Sequence, residues 1–172
     1  LAAAGLPLPE RVFANGWLLV SGEKMSKSKA NGISPEQITS HFGVDAFRYY
    51  FLRVIPFGSD GSFSWEHMEA VYDSELANNL GNLASRVVSM IDRYCEGVVP
   101  AACDNTDLLG KLKESMEIAI PAMADLNFQG AINAILDFSK AANLYITQEE
   151  PWVLAKNPAQ KSELEKEIGR AH

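Results

Sequence analysis

The spacing of apolar residues changes character part-way along the chain. Before about residue 60 the apolar positions come in short clusters. Val12-Phe13 and Trp17-Leu18-Leu19-Val20 read as two short strands, at about 10–14 and 17–21, with a turn at Asn15-Gly16. Ser34-Pro35-Glu36-Gln37 reads as a helix start. Ser34 caps, Pro35 suits the first helical position, and Gln37 completes a capping box. This helix ends near Phe42, where Gly43 can take the left-handed conformation. A second helix follows from about Asp45 to Val54 and stops before Pro56. The cluster Gly58-Ser59-Asp60-Gly61 is the natural hinge.

After Ser64 the period becomes helical throughout. Asp73 or Ser74 is placed to cap a long helix reaching Glu96, with Gly97 just beyond it. Leu76, Leu80, Leu83, Val87, Met90 and Tyr94 form its apolar stripe. A further helix covers about Asp107 to Asp125, and Pro121 should kink it or break its ladder. Another runs from the cap Asn127 to Gln148, with Phe128, Ile132, Ile135, Ala142 and Ile146 on its buried face. A last helix occupies about 158–170. Long amphipathic helices joined by short connections imply antiparallel neighbours in a bundle. The expected fold is mostly α: a small mixed α/β segment over 1–62, then an α-helical bundle over 63–172.

At 172 residues and 47% hydrophobic, the chain can bury one good core, or a small domain beside part of another. No signal peptide and no apolar run of membrane-spanning length is present in the sequence, which points to the cytoplasm. Cys95 and Cys103 give neither a disulfide framework nor a four-ligand zinc pattern. The net charge of −7 is uneven: residues 1–60 carry +1 and residues 61–172 carry −8. An acidic second half disfavours broad phosphate binding and leaves room for a few placed cations and stacking side chains.

Two groups of residues carry candidate chemistry. The first is Lys24-Met25-Ser26-Lys27-Ser28, between Gly22-Glu23 and Lys29-Ala30-Asn31-Gly32. Three lysines fall within six positions, among small or hydroxyl-bearing residues. A loop of this kind can present several ammonium groups to one polyphosphate. By lysine count alone, a solvated basic turn is the better explanation. The second group lies in the helices. Glu75, Asn79, Asn82, Arg86, Ser89 and Arg93 make a polar stripe on the long helix, with Asn82 and Arg86 one turn apart. Asn and Arg together can read the edge of a splayed base. Pro151-Trp152 holds an indole on a stiff turn, where it can serve as a stacking platform. On spacing alone, an ordinary polar helix face and a packing tryptophan are the commoner explanations.

The chain resembles the class I aminoacyl-tRNA synthetases, whose signature loop is K-M-S-K-S, and among them the methionyl-tRNA synthetases. The intact Lys24–Ser28 motif carries the resemblance, together with Gly16-Trp17-Leu18 upstream and Gly43-Val44-Asp45-Ala46-Phe47-Arg48-Tyr49-Tyr50 downstream. Asn15 and Lys29-Ala30-Asn31-Gly32 depart from the usual pattern, and the latter bears on loop mobility. The resemblance implies that Lys27, assisted by Lys24, contacts ATP with Ser26 and Ser28 nearby. It implies that 1–62 is the end of a catalytic region and 63–172 an anticodon-binding bundle. Asn82-Leu83-Ala84-Ser85-Arg86 and Pro151-Trp152 match that bundle's reading segments, so Asn82, Arg86 and Trp152 are the expected contacts to a CAU anticodon. The implied partners are methionine tRNA, methionine, and ATP with magnesium. No metal ligand set is visible in the sequence.

The chain begins at Leu1 and contains no H-I-G-H element, so it reads as a C-terminal piece of a methionine–tRNA ligase, inactive by itself. The rival readings are a piece of a cysteinyl, leucyl, isoleucyl or valyl enzyme, or a tRNA-binding module without catalysis.

Overall fold

The computed structural model of the chain describes residues 2–20, 23–24, 32–100 and 106–171. A three-stranded sheet opens the fold: β1 (Leu18–Val20), β2 (Glu23–Lys24) and β3 (Gly61–Phe63), in the order β2-β1-β3. β1 pairs antiparallel with β2, Leu19 opposite Lys24, and parallel with β3, Leu19 opposite Ser62. The strand expected at 10–14 does not form; residues 11–17 carry no regular structure. β1 takes its second partner from β3, some forty residues later, and no local pattern announces that pairing. Gly16 is not a hairpin turn either. A Cβ on it would lie 2.2 Å from the Ser59 carbonyl, so this glycine permits two backbones to touch.

Between β2 and β3 lie α1 (Pro35–Phe42) and α2 (Val44–Val54). The capping box forms as expected: the Gln37 amide nitrogen donates to Ser34 Oγ at 3.3 Å, and Gln37 Oε1 accepts from the Ser34 amide at 2.9 Å. Gly43 joins the two helices at φ 83° and ψ 165°. That is an extended mirror-image conformation reserved for glycine rather than the left-handed helical one expected. Tyr50, Phe63, Met68, Ile38 and Ala46 form the first core. This core runs past residue 62, because Phe63 and Met68 belong to it as fully as Tyr50 does.

The long helix starts earlier than expected. α3 (Trp65–Val71) is capped by Ser64, whose Oγ accepts from the His67 amide at 3.2 Å. Asp73 and Ser74 are interior residues, and Ser74 Oγ donates back to the Ala70 carbonyl at 2.7 Å. The ladder then widens into a ten-residue π-helical segment (Tyr72–Gly81) before continuing as α4 (Asn82–Cys95). Gly81 suits the junction, since a Cβ there would sit 2.9 Å from the Leu76 carbonyl oxygen. The run ends at Cys95, with Glu96 at φ 56° and Gly97 at φ 76°.

α5 (Thr106–Ala124) continues through Pro121 without ending there. It pairs with α6 (Phe128–Glu149), capped by Asn127. The buried face of α6 is Ala131, Leu136, Ser139, Ala142 and Ile146; Ile135, expected inside, is 45% exposed. α6 has neighbours on two sides, so its inward direction follows α5 and α4 together and not a single apolar stripe. α7 (Pro151–Leu154) and α8 (Lys161–Ala171) complete the bundle. Val87, Met90, Ile146, Leu164 and Ile168 form its core. Tyr145 of α6 donates to the buried carboxylate of Glu167 and so pins α8 to α6, while Arg170 of α8 itself donates to the same carboxylate. Burial and then this carboxylate push the Tyr145 hydroxyl up to about 12. No helix among the described residues is long and apolar enough to cross a membrane.

Candidate nucleic-acid interface

Of the lysine loop, Met25, Ser26, Lys27 and Ser28 lie outside the described residues. Lys24 is described through its backbone alone, in β2 opposite Leu19. The ATP-binding and catalytic roles expected of Lys24, Lys27, Ser26 and Ser28 therefore stay with the sequence.

The bundle residues are another matter. Asn82 is the first residue of α4 and Arg86 follows one turn later, so both project towards α6. Trp152 comes from α7, seventy positions away in sequence. It is carried there by Glu150, at φ 43° and ψ 56°, followed by Pro151 at the first helical position. Pro151 is fully buried while Trp152 stays 37% exposed. A buried proline next to a half-exposed indole fixes the ring's root and leaves part of its surface to solvent. The Arg86 guanidinium lies 5.7 Å from the centre of the Trp152 ring, within cation–π range. The three residues expected to act together are thus neighbours in space.

Arg86 is itself tethered. Its Nη1 donates to the Asn143 carbonyl at 3.2 Å and its Nη2 to Thr147 Oγ1 at 3.1 Å. Asn82 Nδ2 donates to Asn143 Oδ1 at 3.1 Å. Asn143 and Thr147 were not legible as site residues. Their only signal is that they stand four apart on α6, opposite a pair four apart on α4, and that needs the packing of the two helices. Beside them runs an open cleft of about 630 Å³, lined by Glu75, Asn78, Asn82, Arg86, Lys140 and Asn143 among others.

The polar stripe expected on the long helix does not persist as a single exposed face. Asn79 is buried, and its Nδ2 reaches the Leu136 carbonyl at 3.3 Å. Glu75 turns towards α2, where Arg53 and Tyr49 donate to it. Both residues still border the cleft that Asn82 and Arg86 line, and Asn79 is buried because α6 packs over it. Burial raises the Glu75 carboxyl, but the hydrogen bonds from Arg53 and Tyr49 outweigh it and hold the group below its ordinary value. Burial, then the Glu75 carboxylate, pushes the Tyr49 hydroxyl well up.

A separate hollow of about 480 Å³ lies between Cys95, Val98 and Lys161. Burial raises the Cys95 thiol, which makes it a poor nucleophile, and Cys103 lies outside the described residues. Among the described residues no three His, Cys, Asp or Glu are grouped to hold a metal ion.

Comparison with known proteins bears on the whole chain. The family model for tRNA synthetases class I (M) matches residues 1–88. The methionine–tRNA ligase of Streptomyces coelicolor is 54% identical over 163 residues, covering 91% of this chain and 30% of that protein. That of Enterococcus faecalis is 43% identical over 177 residues, covering 96% of this chain and 25% of the relative. Among solved structures, Mycobacterium tuberculosis methionyl-tRNA synthetase bound by methionyl-adenylate superposes with a TM-score of 0.87 at 34% identity. The match covers 99% of this chain and 34% of that one. The chain therefore spans about a quarter to a third of the length of the relatives it matches.

Proposed function

Because the chain belongs to the class I tRNA synthetases (M), we propose that it is the part of a methionine–tRNA ligase that supplies the lysine loop and reads the CAU anticodon. One observation carries the anticodon half of this reading: Asn82, Arg86 and Trp152, drawn from two distant segments, converge on one face of the bundle. A flat, half-exposed indole beside a planar cation and an amide is what recognition of an unstacked base requires. Stacking on Trp152 holds the base, and the donors and acceptors of Arg86 and Asn82 test its edge.

In the whole ligase, methionine and ATP would give methionyl-adenylate and pyrophosphate, and the methionyl group would then pass to the terminal ribose of the tRNA. Magnesium would arrive with ATP as part of the substrate. The share of Lys27 and Lys24 is electrostatic: ammonium groups stabilise the charge that grows on the phosphates as pyrophosphate leaves. Residues 1–62 would form the end of the catalytic region and 63–172 the anticodon-binding bundle. The −8 charge of residues 61–172 fits recognition through a few placed contacts, since such a surface cannot hold RNA by bulk attraction to phosphate.

The test is aminoacylation by the full-length ligase of methionine tRNA carrying CAU against the same tRNA with a changed anticodon. Arg86→Ala should lower kcat/KM for the CAU tRNA on the order of tenfold or more, and shrink the preference for it. An unchanged preference would remove Arg86 from the anticodon site.

A further inference from the structure

Asn82 and Arg86 share one partner, and that partner has only one way to face them. The Asn143 side chain stands between α4 and α6. Its Nδ2 donates to the Asn79 carbonyl at 3.1 Å and to the Ser139 carbonyl at 3.2 Å. Its Oδ1 accepts from Asn82 Nδ2 at 3.1 Å and from Arg86 Nη1 at 3.4 Å. Carbonyls only accept and a guanidinium only donates, so the reversed amide would set like against like at both ends. The orientation of Asn143 in turn dictates that of Asn82. Asn82 must offer an N–H to Asn143, which leaves its own Oδ1 as an outward acceptor.

The far end of this chain of bonds is equally determined. Asn79 is 8% exposed, accepts from Ser139 Oγ at 2.8 Å and donates to the Leu136 carbonyl at 3.3 Å. It reaches these partners because α6 packs directly against the π segment.

We infer that Asn143, held by the buried Asn79, is the positioning residue that presents Asn82 and Arg86 to the anticodon base. The inference rests on the anticodon reading above. Asn143 acts through the other two residues: its hydrogen-bonding groups are turned to Asn79, Ser139, Asn82 and Arg86. Two flexible polar side chains would otherwise each sample several rotamers, and the ordering would have to be met at the moment of binding.

The experiment is a set of aminoacylation measurements on the full-length ligase, comparing CAU tRNA with an anticodon-changed tRNA at fixed salt. Active-site titration normalises each preparation. Asn143→Ala should reduce the ratio of the two kcat/KM values on the order of tenfold, largely through a raised KM for the CAU tRNA. In an Asn82→Ala/Arg86→Ala background, Asn143→Ala should cause no further loss, because its effect passes through those residues. Should Asn143→Ala not unfold cooperatively, Asn143→Gln takes its place with the same expectation, since it keeps an amide but displaces it by one methylene. If Arg86→Ala lowers the ratio and Asn143→Ala does not, the positioning role is wrong while the anticodon reading stands. A loss of full size in the double-variant background also overturns it. If neither single variant moves the ratio, the anticodon reading fails, and the positioning role with it.

Discussion

Arg53 of α2 and Glu75 of the π segment form a two-pronged ion pair, Nε to Oε2 at 2.8 Å and Nη2 to Oε1 at 2.8 Å. Tyr49 donates to the same carboxylate at 2.5 Å. Gln129 of α6 completes the junction by donating to the carbonyls of Arg53 and Val54 at 3.1 and 3.2 Å. The segment that carries the lysine loop is thereby fastened to the helices that carry Asn82 and Arg86.

Truncating Glu75 to Ala should cost roughly 1–3 kcal/mol of stability, because Arg53 and Tyr49 lose a shared acceptor in a half-buried place. The pair also carries an acid sensitivity. Glu75 titrates below its ordinary 4.5 in the folded chain, so its contribution is fully present above that pH. It is lost as the pH falls through the lower, folded value. Thermal unfolding of wild type, Glu75→Ala and Glu75→Gln at pH 7 and then below pH 4.5 checks both statements: the gap between wild type and Glu75→Gln should narrow in acid. A constant gap would show that Glu75 is not charged against Arg53.

Gly16→Ala should destabilise the first part of the fold by roughly 1–3 kcal/mol, because the new methyl meets backbone that cannot move aside. The clash is with the Ser59 carbonyl group at 2.2 Å and the Asp60 nitrogen at 2.4 Å. Gly61→Ala meets the Ile55 side chain instead, Cδ1 at 2.2 Å and Cγ1 at 2.3 Å, and should cost less because a side chain can shift where the backbone at Ser59 cannot. Urea unfolding of the two variants gives the comparison directly; equal midpoints would contradict it.

Trp152→Ala should weaken CAU preference by about 1–3 kcal/mol of lost stacking. A tryptophan closed inside a core would instead cost about 3–5 kcal/mol of stability on truncation. With 37% of its surface exposed, Trp152 should lose less than that. Thermal unfolding paired with aminoacylation of CAU and non-CAU tRNAs separates the two roles. A large fall in Tm with unchanged preference would make it a packing residue.

Lys27→Ala in the full-length ligase should slow adenylate formation on the order of a hundredfold, because one preorganised cation at developing charge is worth a few kcal/mol. Methionine affinity should change little, since in this reading the loop faces phosphate. Rapid-quench measurement of the adenylation step is the check, and a wild-type rate would leave Lys27 a surface charge.

Local chemistry was enough to read much of the helical layout. Ser34, Gln37 and Asn127 cap where their side chains allow, and the apolar period of Leu83, Val87, Met90 and Tyr94 faces the core as its spacing demands. These are interactions within one or two turns, so the residues that make them are neighbours in sequence. The start of the long helix was missed although Ser64 caps it and Met68, Val71, Tyr72 and Leu76 follow at helical spacing, since Asp73 and Ser74 offered an equally good local cap further on.

What only the tertiary structure decided are the relationships that join distant segments. β1 pairs with β3, Gly16 lets its backbone touch Ser59, Glu75 pairs with Arg53, and Asn79 is buried against α6. The sequence alone named Asn82, Arg86 and Trp152, through motif and resemblance. That Trp152 lies beside Arg86, and that Asn143 holds Asn82 and Arg86 in place, depends on how α4, α6 and α7 pack. A side chain's period states which way it points from its own helix. What it meets there is set by the packing of the other helices, which the period of one helix does not contain.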